Sequence, residues 1–87
     1  MNIETAYQLI NNLDGPARSV PTCSLVFVDA VGRVVDVIRY KEYRALVGKL
    51  SAHRRRHPDC SCFITLPGQF GSVEAFRAWV DSVHESY

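Results

Sequence analysis

Apolar residues along this chain switch repeatedly between helical and extended spacing, and that switching confines it to a small mixed architecture. Ile3, Ala6, Tyr7, Ile10 and Leu13 follow a 3-4 spacing that lines one helix face, with Asn2 placed to cap the start and Gly15-Pro16 to stop it. Thr22 to Asp29 then alternates, Cys23, Leu25 and Phe27 against Ser24, Val26 and Val28, which predicts a strand. Asp29-Ala30-Val31-Gly32 has Asp first and Gly fourth, as a type I turn closing a hairpin requires. Arg33 to Tyr40 is rich in β-branched residues and predicts the second strand. A helix over 41–57 follows, ended by Pro58, with Tyr43, Leu46, Val47, Leu50, Arg54 and His57 on one side. Cys60 to Leu66 predicts a third strand and Pro67 to Gly71 a turn. Ser72 caps a last helix whose apolar face is Val73, Phe76, Trp79, Val80 and Val83.

The resulting order, α-β-β-α-β-α, predicts an α+β two-layer sandwich: a three-stranded sheet with helices mainly on one face. At 87 residues the chain is expected to be a single domain over 1–87, with 14–21 a connection inside it. One sheet face would carry Cys23, Leu25, Phe27, Val34, Ile38, Cys60, Cys62, Ile64 and Leu66, with Asp36 as a polar intruder for Arg54 to pair. The other would carry Val26, Val28, Val35, Val37 and Phe63, edged by Arg33 and Arg39. Were all three helices to cover the first face, the second would be an open apolar patch. Such a patch would suit a homodimer, a different protein, or single-stranded bases stacked on Phe63. A helix crossing to the second face would make it ordinary core.

Composition excludes several classes. Apolar content of 47% and charged content of 22% fit a globular chain. No run approaches the ~18 apolar residues of a membrane span, and the N-terminus lacks a basic and then apolar leader. Three cysteines, an odd number, do not make a secreted disulfide framework, so the expected compartment is the cytoplasm.

Charge is the feature that points outward. From Arg33 to His57 there are eight cations against two acids, and elsewhere two cations against seven acids, so a segment of +6 sits in a remainder of −5. A domain polarised in this way presents a surface that attracts anions. On the 41–57 helix, Lys41, Lys49, Arg55 and Arg56 flank the small residues Ala45, Gly48 and Ala52. Glycine within a helix costs about 1 kcal/mol relative to alanine, so Gly48 invites a reason. Small residues would let another backbone approach while the cations meet its charges. The plainer reading is a solvated face whose arginines oppose the negative end of the helix dipole.

The spacing His53-x-x-x-His57-x-x-Cys60-x-Cys62 collects four residue types that bind zinc. Against a zinc site stand the tight Cys-x-Cys spacing, thiols expected in the core, and three adjacent arginines that repel a dication. A cysteine nucleophile with a histidine base would need an orienting group and an oxyanion site, neither of which is evident. Gly68-Gln69-Phe70-Gly71-Ser72 could hold an anion at a helix start, or serve only as a tight turn.

The expected function is that of a non-enzymatic, cofactor-free binding or regulatory protein, inhibitor- or adaptor-like, that occupies an acidic or mixed surface of a protein partner. Lys41, Lys49, Arg55, Arg56, Arg33, Arg39 and Phe63 are the expected contacts. Small α+β chains of this kind include regulators carried by phages and other mobile elements, an association of size and class alone. A nucleic-acid-binding module using the same helix is the alternative, and a small zinc domain the third.

Overall fold

A computed structural model describes residues 1–13 and 23–85. Helix α1 spans Ile3–Ile10. Its first turn is capped by Asn2, whose Oδ1 accepts the Thr5 N–H at 2.7 Å. It ends earlier than the apolar spacing predicts. Asn12 takes a left-handed backbone (φ 59°), the Leu13 N–H reaches the Gln8 carbonyl at 2.9 Å, and the Asn12 N–H reaches that of Leu9 at 3.4 Å. These two bonds are a Schellman closure with asparagine where glycine is usual. Leu13 is therefore exposed rather than part of the helix face. The expected stop at Gly15-Pro16 and the 14–21 connection lie outside the described residues.

Strand β1 (Cys23–Val28) is the centre of a three-stranded sheet of order β2-β1-β3, with β2 (Val34–Tyr40) and β3 (Ser61–Thr65) both antiparallel to it. The β1–β2 hairpin turns as its sequence predicts. Gly32 donates to the Asp29 carbonyl at 3.1 Å and adopts φ 84°, a type I turn followed by a left-handed residue. One irregularity changes the faces. Phe27 pairs Asp36 but Val28 pairs Val34, so Val35 is an extra, bulged residue. The bulge moves Val34 onto the face of Val26 and Val28 and leaves Val35 exposed, the reverse of strict alternation.

The α+β class and the order α-β-β-α-β-α are as the sequence predicts, and two of the three helices share one face. That face is the one carrying Val26, Val28, Val37 and Phe63. There α1 and α3 (Val73–Glu85) supply Ala6, Ile10, Phe76 and Val80. Ser72 caps α3, its Oγ accepting the Ala75 N–H at 3.1 Å. Trp79 sits edge-on to Phe63 at 5.3 Å and against Phe70 at 5.1 Å, while Phe70 meets Phe76 at 5.2 Å. Each such ring contributes about 1.5–3 kcal/mol by burial, so this face is the main core. This face is therefore core beneath α1 and α3, not the open apolar patch considered above, and Phe63 lies against Trp79 instead of facing a base. Helix α2 (Tyr43–Arg56) lies alone on the opposite face, with Leu46 against Cys23, Leu25 and Phe27. The sheet is thus covered on both sides, one layer more than a two-layer arrangement.

Candidate interaction surface on the second helix

Helix α2 is held to the sheet by a narrow stripe. Leu46 is fully buried, and Leu50, His53 and His57 are half-buried. At about 100° per residue these four positions fall on one strip. Both histidines reach β2. The Tyr40 hydroxyl and His53 Nε2 are hydrogen-bonded, and His57 Nε2 lies 3.4 Å from Asp36 Oδ2 with its ring 4.6 Å from that of Phe27. Asp36 is therefore not the partner of Arg54. His57 occupies the inward strip, whereas Arg54 lies one strip round and is exposed, its charge partly opposing the rise that burial gives the Cys62 thiol.

The remainder of α2 faces solvent. Ala45, Gly48 and Ala52 are exposed, and the space beside Gly48, where a Cβ would stand, is open. Lys49 and Arg56 lie along one border of that strip, Arg44 and Arg55 along the other, and all four are exposed. No acid occurs between Tyr43 and Arg56. The last turn carries His53, Arg54, Arg55 and Arg56, where positive charge opposes the helix dipole. Of the other expected contacts, Lys41 is exposed just before the helix and Arg39 is exposed on edge strand β2. Arg33 belongs to the hairpin, its Nε 3.3 Å from Asp29 Oδ2. Phe63 is on the far side of the sheet. The surface thus keeps Lys49, Arg55 and Arg56 together and gains Arg44, whose place sequence reasoning could have found from its spacing to Arg55.

The structure does not assemble the His53, His57, Cys60 and Cys62 set. One nitrogen of each imidazole is engaged by Tyr40 or Asp36, and both thiols pack toward Leu46 and Phe27. Among the described residues no group of three or more His, Cys, Asp or Glu side chains could hold a metal ion. Burial pushes the Cys60 thiol up, reinforced by the carboxylates of Asp29 and Asp59. Burial also raises Cys62, against a smaller opposing pull from Arg54. A raised thiol is the opposite of an activated nucleophile. Two amides of the 68–72 turn are occupied within the fold: Gly68 N–H donates to Asn11 Oδ1 at 2.8 Å and Gln69 N–H to the Leu66 carbonyl at 3.1 Å.

Comparison with protein-family models, curated proteins and solved structures returns no match. Among the described residues no helix is long and apolar enough to cross a membrane.

Proposed function

We propose that this chain is a non-enzymatic binding protein, of the inhibitor or adaptor kind, that covers an acidic surface of a macromolecular partner with α2. One observation carries the reading: an acid-free helix turns the small strip Ala45, Gly48 and Ala52 to solvent between two borders of cations. Small side chains permit close approach of a partner backbone, and the flanking charges favour an acidic one and speed encounter. The raised thiols of Cys60 and Cys62 support a role without nucleophilic chemistry. Three free cysteines support a reducing compartment, the cytoplasm.

Nucleic acid is the rival occupant, since the same cations could follow a phosphate strand. Immobilised wild-type protein and the Arg55→Glu, Arg56→Glu double variant separate the two. Capture of a protein by wild type and not by the equally folded double variant supports the proposal. Binding of labelled DNA or RNA with a steep salt dependence, and no protein capture, supports the rival.

A further inference from the structure

Helix α2 leaves part of its own sheet face uncovered, and the place can be fixed. Its two histidine anchors both go to β2, through Tyr40 and Asp36, so the helix sits over β1 and β2. Strands β2 and β3 are both antiparallel to β1 and hence parallel to each other, and the right-handed crossover such a β2–α2–β3 connection takes turns the Arg54 flank of α2 toward β3 when Leu46 faces the sheet. At about 100° per residue Tyr43 and Val47 lie on that same flank. They are 59% and 47% exposed. Cross-strand register puts Ile64 in a row with Leu25 and Ile38, hence on the α2 side of the sheet, and it is 37% exposed. Leu66, just past the strand, is 53% exposed. His57 lies at the Phe27–Asp36 row, so the helix start, with Tyr43 and Val47, lies toward the Cys23–Tyr40 end, where β3 ends in Ile64 and Thr65 and Leu66 follows.

An apolar ledge therefore runs beside an edge strand that pairs only with β1 among the described strands. Arg44 and Arg54 rim it, and neither α2 nor β3 carries an acid. We propose that the ledge receives an extended, acidic segment of a partner protein, which adds to the edge of β3 ahead of the fully buried Thr65 and sets alternate apolar side chains between α2 and the sheet. Strand addition supplies main-chain hydrogen bonds, the ledge reads every second side chain, and the arginines take carboxylates. A second copy of this chain would bring arginines against arginines. A phosphate strand would leave Val47, Ile64 and Leu66 without partners. This proposal rests on the binding role above and names its partner chemistry.

The test is amide NMR of the full chain with a synthetic peptide in which Glu alternates with Leu, beside an all-Glu peptide. The Glu-Leu peptide is expected to shift the amides of 61–66 and of Tyr43 and Val47, and to slow exchange along β3. Val47→Glu and Ile64→Asp, each checked for intact fold by circular dichroism, are expected to weaken it about tenfold, the scale of ~1.4 kcal/mol. Equal binding by the all-Glu peptide with β3 unmoved overturns the ledge while the broader role of α2 stands. Binding by neither peptide also overturns it, and the arginine-dependent capture decides the broader role separately. Shifts of the same residues with oligothymidylate, or with protein concentration alone, overturn it in favour of nucleic acid or a homodimer.

Discussion

The His57 imidazole and the Asp36 carboxylate meet at 3.4 Å across the gap between the end of α2 and β2, with the ring lying against Phe27. Because α2 has only one fully buried side chain, Leu46, this pairing carries an unusual share of the helix attachment. His57→Ala removes the ring contact and one of the polar partners of Asp36, whose Oδ1 keeps the Val37 N–H, and is expected to lower stability by about 1–2 kcal/mol. Asp36→Asn keeps the shape and should cost under about 1 kcal/mol, since the pair is partly exposed. Urea denaturation of both variants and of the double variant checks this, and a coupling indistinguishable from zero would contradict it.

Asp29 organises the hairpin with one carboxylate. Its Oδ1 accepts the Arg33 N–H at 2.9 Å and the Val31 N–H at 3.1 Å. The backbone bond from Arg33 is the main cause holding the carboxyl below its ordinary range, helped by Val31 and the Arg33 charge and partly offset by burial. A carboxyl lowered by folding stabilises the native state above its unfolded pKa, about 3.9, and loses that contribution as pH falls through the lower native value. Acid titration of stability should therefore lose a component in Asp29→Asn, whose neutral amide has nothing to titrate. An unchanged acid limb between the two proteins would refute the assignment.

The element order was legible because helical and extended spacing alternate cleanly and the caps at Asn2 and Ser72 are of the expected type. What escaped reading has specific causes. The α1 terminus was hidden because asparagine at 12 does the work of glycine, and Leu13 continues the apolar spacing by coincidence. The bulge at Val35 was invisible in a run of valines, where either of two neighbours could be the extra residue. One slip there reverses the faces of Val34 and Val35. The site divides similarly. The small strip and its cations follow from helix geometry, but the spacing sets Tyr43 and Val47 on the same side as Leu46 and cannot tell how far round a helix the sheet reaches, and both are exposed.

The two half-buried thiols give a chemical readout of the α2–β3 side. Burial raises both, so each stays protonated in the fold at pH values where an unfolded cysteine, pKa about 8.5, begins to ionise. Their contribution to stability is complete below that value and falls as pH rises through the higher native pKa. Iodoacetamide should alkylate Cys60 and Cys62 more slowly at mildly alkaline pH in the native protein than in urea. Arg54→Glu removes the one influence that lowers Cys62, so labelling at Cys62 should slow further while Cys60 is unaffected. Mass spectrometry of peptides around the two sites reads the rates, and equal slowing at both would show that Arg54 does not lie over β3.

Gly48 separates the demands of the fold from those of a partner. It lies mid-helix and exposed, with open space where a Cβ would stand, so nothing in the chain itself requires glycine. Replacing it with alanine should raise stability by about 1 kcal/mol through helix propensity alone. If a partner backbone packs on the Ala45, Gly48 and Ala52 strip, the added methyl occupies the space of closest approach. Gly48→Ala should then melt higher and bind the captured partner more weakly, whereas Ser51→Ala, on the same helix but off the strip, should leave binding unchanged. A stabilised Gly48→Ala protein with undiminished binding would remove close approach at this strip from the mechanism and leave only the charges to explain recognition.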